Sequence, residues 1–194
     1  NGQLAYFLNT SISSTPNFSL QSTALTDANG IAIQVPLFAS PQLFDLNEDG
    51  KLDLIIGHKG GGLVYYENTG SQLVPEFTLQ SSTLGSVNIA VNGPDGFSNC
   101  WFFKHQDTTY LMVGALDGRI HFFDSISNNI FGAFHQRTAD LVGLSAQIGA
   151  YASACVANLD NDTHLDLVVG QDLGGLFLLE DEPGSDLSIQ ANKI

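Results

Sequence analysis

One stretch of this chain occurs twice. Phe44-Asp-Leu-Asn-Glu-Asp-Gly-Lys-Leu-Asp-Leu-Ile-Ile-Gly57 returns 113 residues later as Ala157-Asn-Leu-Asp-Asn-Asp-Thr-His-Leu-Asp-Leu-Val-Val-Gly170, and Tyr110-Leu-Met-Val-Gly114 stands midway, so the period is 56 to 57 residues. Other segments keep the same step. Gly62-Leu-Val-Tyr-Tyr-Glu67 matches Gly118-Arg-Ile-His-Phe-Phe123 and Gly175-Leu-Phe-Leu-Leu-Glu180, while Asn1 to Thr10 resembles Gly61 to Thr69, and Asn17-Phe-Ser-Leu-Gln-Ser22 resembles Glu76-Phe-Thr-Leu-Gln-Ser81. A repeat of this length constrains the fold more than any other property of the chain.

Each unit reads as four short strands, such as Pro41 to Leu46, Leu52 to Gly57, Leu63 to Glu67 and Phe77 to Ser81. Twenty Gly, thirteen Phe and only 13% charged residues suit strands and turns, and no apolar stripe of helical period runs for a useful length. Four antiparallel strands per unit predict an all-β chain built as a β-propeller; solenoid units are usually shorter or helical. The expected layout is a half blade at 1–25 and blades at 41–84, 97–141 and 153–190, or three and a half blades. Rings close with ~4 to 8 blades, so the expectation is a piece of a larger propeller. Two copies sharing a seven-blade ring is the alternative. Asn1 follows no signal-peptide pattern and reads as the start of an internal piece.

The loops between first and second strands carry the candidate chemistry. Asp45, Asn47, Asp49 and Asp53 place side-chain oxygens at relative positions 1, 3, 5 and 9, with the Lys51 carbonyl at 7. Crowded hard oxygen donors suit Ca²⁺ better than Mg²⁺, and Ile56 at position 12 excludes an EF-hand, which needs a Glu there. Asn158, Asp160, Asp162 and Asp166 repeat the spacing, with Thr163 where the first loop has Gly50. Isolated Asp and Asn residues close turns without any metal. Two such clusters at twice the repeat period, with carboxylates that repel one another, point to two calcium sites. Phe103 to Thr109 in the middle unit lacks the acidic pattern, and no site is expected there.

These loops, the Leu-Asp-Leu-Ile-Ile-Gly and Leu-Asp-Leu-Val-Val-Gly strands after them and the Gly-Gly-Leu-Val-Tyr-Tyr-Glu-Asn-Thr-Gly run resemble the FG-GAP or VCBS repeat family across essentially the whole chain. The resemblance implies a calcium-bearing extracellular propeller, similar to integrin α-subunit propellers and to secreted bacterial proteins. It adds the His164 carbonyl to the second ligand set, and it makes Gln190 to Ile194 the start of a linker to a further domain.

A net charge of −14 repels phosphate backbones and anionic lipid, so nucleic acid is a poor partner, and no apolar run approaches the ~18 residues of a spanning helix. His58, His105, His121, His135 and His164 lie in no HExxH or GxSxG context, and His58 to Gly62 lacks the ending of a phosphate loop, so no catalytic residue is assigned. Tyr65 with Tyr66, and Phe122 with Phe123, are expected to bury one ring and leave the other partly exposed. Cys100 and Cys155 lie nearly one period apart, as a disulfide or two buried thiols. Recognition is expected on 26–40, 85–98 and 142–153, joined by 58–61 and 115–117 at the end opposite the acidic loops. The chain is thus read as a secreted, calcium-stabilised module that binds an extracellular protein or glycan. The alternatives are an accessory propeller of a secreted enzyme and a propeller hydrolase or lyase.

Overall fold

Fourteen short strands order the residues that the computed structural model describes, namely 2–90, 93–141, 149–160, 164–181 and 189–193. A hairpin of β1 (Tyr6–Asn9) and β2 (Phe18–Ser22) comes first. Three four-stranded antiparallel sheets follow, each in chain order. The first holds β3 (Ser40–Phe44), β4 (Asp53–Gly57), β5 (Leu63–Asn68) and β6 (Phe77–Ser81). The second holds β7 (Asn99–His105), β8 (Thr108–Gly114), β9 (Ile120–Asp124) and β10 (His135–Thr138). The third holds β11 (Ser153–Ala157), β12 (Asp166–Gly170), β13 (Leu176–Asp181) and β14 (Ile189–Lys193). The only helix among the described residues is a 3-10 turn at Leu84–Ser86. β14 continues to Lys193, so most of the expected linker at Gln190 to Ile194 is strand instead.

The sheets pack against one another through strands that are buried on both faces, such as β4, β5 and β9. In β4, Ile55 joins Tyr65, Cys100, Phe102, Leu111 and Val113 in a core between the first and second sheets, while Leu54 and Ile56 turn to Ile33, Val35 and Phe77 on the other face. Met112, Phe122, Leu167, Val169 and Leu179 form the core between the second and third. Covering from both sides explains why Tyr65 and Tyr66, and likewise Phe122 and Phe123, are all buried, where one exposed ring of each pair was expected.

The first strands of neighbouring sheets are tied edgewise by polar side chains. The Gln42 carboxamide donates to the Phe102 carbonyl (2.8 Å) and accepts from the Phe102 amide, as a backbone unit would. Asn99 donates to Ser40 Oγ (2.8 Å) and accepts from Ser153 Oγ (3.0 Å), linking β3, β7 and β11. At the end of the second strands, glycine permits the closest approach. A Cβ on Gly57 would lie 2.1 Å from the Ser98 carbonyl oxygen, and one on Gly114 would lie 2.0 Å from that of Ala152. Cys100 and Cys155 are both free thiols. Cys100 faces the first sheet, where burial pushes its pKa up to about 12, and Cys155 is exposed on β11 in the register position of Trp101.

The N-terminal hairpin copies β5–β6. Tyr6, Phe7, Leu8 and Asn9 pair with Ser22, Leu20, Ser19 and Phe18, and Tyr65, Tyr66, Glu67 and Asn68 pair with Ser81, Leu79, Thr78 and Phe77, each with one irregularity after the first tyrosine. Asn9 Oδ1 accepts from the Ser11 and Asn17 amides as Asn68 Oδ1 accepts from those of Gly70 and Glu76. Gly2 and Gly61 enter the two hairpins with the same left-handed backbone (φ 74° and 83°).

Candidate metal hairpins and an aromatic face

The acidic loop closes the hairpin between β3 and β4 by Asx turns. Asp45 accepts from the Asp49 and Gly50 amides (3.1 and 2.9 Å), and Asn47 Oδ1 also accepts from Asp49 N (3.1 Å). Both oxygens therefore crowd one amide on the concave side of the turn. Asp49 accepts from the Lys51 amide and pairs with Lys51 Nζ at 2.8 Å, which holds its carboxyl below the usual range. Gly50 has φ 83°, a backbone that any L-side chain resists.

Asp53 turns inward. Fully buried, it accepts from Leu46 N (3.1 Å), Asn68 N (2.9 Å) and Tyr65 Oη (3.1 Å), and so joins the loop, β4 and β5. Burial raises its pKa, and the three donors oppose that rise. Burial and the Asp53 charge keep Tyr65 protonated as a donor.

In the third sheet, Asp166 is likewise buried and accepts from Leu159 N at 2.7 Å. Asn158, Asp160 and His164 lie on the same hairpin, and Asp162 falls outside the described residues. Among the described residues no three carboxylate, imidazole or thiol groups close on one point. The first loop presents oxygens of Asp45, Asn47 and Asp49 on one turn, and this donor set fits a hard cation, with Asp53 tethering the loop from below.

The second sheet replaces this arrangement. Gln106 and Asp107 (φ 48° and 60°) make a two-residue turn of the kind that suits hairpin twist. Tyr110 occupies the register position of Asp53 and Asp166, stacked between Phe103 (5.7 Å) and Phe122 (5.6 Å).

At the far end of the strands, each sheet carries one aromatic residue two positions before its first strand. These are Phe38, Phe97 and Tyr151, all with left-handed backbone (φ 50°, 51° and 56°). Such a conformation costs of order 1–3 kcal/mol for a bulky residue and persists only where the surroundings impose it. A ladder of amides imposes it here. Lys59 N donates to Leu37 O, Phe97 N to Lys59 O, Leu116 N to Gly96 O, and Tyr151 N to Leu116 O.

The rings stack edge to face, 4.7 Å between Phe38 and Phe97 and 5.1 Å between Phe97 and Tyr151. Phe38 and Tyr151 are 63% and 48% exposed, which is too open for core residues. They rim a cleft of about 380 Å³ whose lining, including Ser40, Asn99 and Ser153, carries no charged residue. Lys59 Nζ lies 5.8 Å from the Phe97 centroid and pairs with Asp95 at 3.1 Å, so a cation already attends that ring. The row falls on the segments expected to carry recognition, but the three aromatics themselves were missed. Their signal is readable as Phe38-Ala-Ser40, Phe97-Ser-Asn99 and Tyr151-Ala-Ser153 once the repeats are aligned. No family model, curated protein or solved structure matches the chain.

Proposed function

We propose that the stacked sheets are blades of a secreted, calcium-stabilised β-propeller of the FG-GAP or VCBS kind, and that its role is binding. The observation that carries this reading is the aromatic row. Three rings held at an energetic cost, in step with the repeat, around an uncharged cleft floored by hydroxyl and amide groups, suit an extracellular saccharide. Apolar sugar faces stack on the rings, and Ser40, Asn99 and Ser153 offer hydrogen bonds. Tyr151→Ala is expected to weaken saccharide binding at least about tenfold, the ~1.4 kcal/mol of a single ring contact. Glycan-array screening followed by calorimetry reads this. Failure of every glycan to bind, or equal affinity of the variant, sinks the assignment.

Calcium belongs to the other end, where Asp45, Asn47, Asp49, the Lys51 carbonyl and Asp53 would hold it, with Asn158, Asp160, Asp162, the His164 carbonyl and Asp166 as the second set. The ion would neutralise the clustered carboxylates and lock the hairpin. A site with a dissociation constant of ~10⁻⁴ to 10⁻³ M, at about 10 mM Ca²⁺, adds about 1.4–2.7 kcal/mol. That corresponds to a rise of about 3–10 °C in melting temperature per site for a chain of this size. Chelator-treated protein is expected to respond to Ca²⁺ more than to Mg²⁺, and Asp49→Ala to remove one of two bound ions. Equal shifts with both metals, or unchanged stoichiometry in the variant, count against these ligands.

A further inference from the structure

The His58 to Gly62 run, which lacks the ending of a phosphate loop, forms the turn between β4 and β5. Its imidazole folds back over the glycines. His58 Nδ1 accepts from the Gly60 amide at 3.0 Å, and a Cβ on Gly60 would lie 3.0 Å from Cε1 of that ring, one on Gly62 3.2 Å from Nε2. A ring nitrogen that accepts carries no proton, so this bond exists only in neutral histidine. The corresponding residues of the second and third sheets are Ala115 and Gln171, which do not titrate. The turn so held anchors two rings of the aromatic row. The Lys59 amide donates to Leu37 O (3.0 Å), beside Phe38, and the Lys59 carbonyl receives the Gly96 and Phe97 amides (2.7 and 2.9 Å). The His58 carbonyl receives the Ser98 amide (3.1 Å), and the His58 amide donates to Ser98 Oγ (2.8 Å).

Burial holds the His58 pKa below its ordinary 6.5. The surrounding charges are already matched. Lys59 pairs with Asp95 (3.1 Å) and Arg119 with Asp117 (3.3 Å), while segments 36–40 and 85–94 hold no charged side chain. Protonation costs the turn a hydrogen bond and sets a new N–H against the Gly60 amide. The stabilisation is whole above pH 6.5 and is lost as pH falls through the lowered value. We propose that His58 is a proton-sensitive latch of the aromatic cleft: neutral, it pins the turn that seats Phe38 and Phe97; protonated, it frees the Gly60 amide, and the two rings come loose. That a loosened cleft releases its ligand rests on the saccharide reading.

The test is amide hydrogen exchange of the whole chain without sugar, read by NMR at pH 7.5 and 4.5 and corrected for the intrinsic effect of pH. Protection of the Gly96 and Phe97 amides is expected to fall about three- to tenfold at the lower pH, the loss of one hydrogen bond, while Ile55 in β4 stays protected. His58→Asn, whose Oδ1 accepts from the Gly60 amide at any pH, is expected to keep both amides protected throughout, and His58→Ala to leave both loose at either pH. His121 is also buried, with Nε2 lacking a partner among the described residues, and His121→Phe is expected to retain the transition. Flat protection in the parent, an undiminished transition in His58→Asn, or its loss in His121→Phe overturns the latch. Because no sugar enters the measurement, a failed latch leaves the saccharide reading standing, and a failed glycan screen leaves the latch standing.

Discussion

Gly114→Ala is expected to destabilise the protein by about 3 kcal/mol, at the upper end of what overpacking usually costs. The new methyl would lie 2.0 Å from the Ala152 carbonyl oxygen and 2.6 Å from its carbon, and both are backbone atoms that no rotamer change can move. Relief requires the second and third sheets to part. That strains the Ala152 amide bond to Ala115 O and the Tyr151 amide bond to Leu116 O, and it loosens the core around Met112 and Leu167. Gly170→Ala is the internal control. It stands at the same register position in the third sheet, and its Cβ would meet only Leu176 Cδ2, at 3.7 Å. Urea unfolding of the two variants is expected to separate them by more than 2 kcal/mol, and equal midpoints would refute the close-packing account.

Asp53→Ala is expected to cost about 3–5 kcal/mol in the presence of a chelator, so that no metal contributes. Three donors lose their acceptor at once, two of them backbone amides, and each unsatisfied buried group costs about 1–3 kcal/mol before water enters. Asp166→Ala removes the one corresponding bond described, from Leu159 N, and is expected to cost about 1–2 kcal/mol. Chemical denaturation checks both. A loss below about 1 kcal/mol for Asp53→Ala would mean that the carboxylate is only a metal ligand and not a tether.

Strand content and order were legible because the repeat could be aligned to itself. Phe77–Ser81 ends where the sequence places it, and β3 is Ser40–Phe44 where Pro41 to Leu46 was expected, since strand ends depend on ladder hydrogen bonds that periodicity does not encode. The acidic spacing located the hairpins, but it did not show that Asp53 also accepts hydrogen bonds from Tyr65 and Asn68 on β5. Tyr65 and Tyr66 were half misread because a two-residue period fixes which way a ring points, not whether a neighbouring sheet lies beyond it. Aligned repeats bring Phe38, Phe97 and Tyr151 into one column, but their left-handed backbone was not legible, because it is imposed by amides that are distant in sequence.

Tyr110 gives the middle sheet a different character from its neighbours. Where the flanking sheets fasten their strand entry with a buried carboxylate that collects hydrogen bonds, this one uses three stacked rings. Substitution of those carboxylates is therefore expected to loosen the assembly at its two flanks while leaving the centre packed.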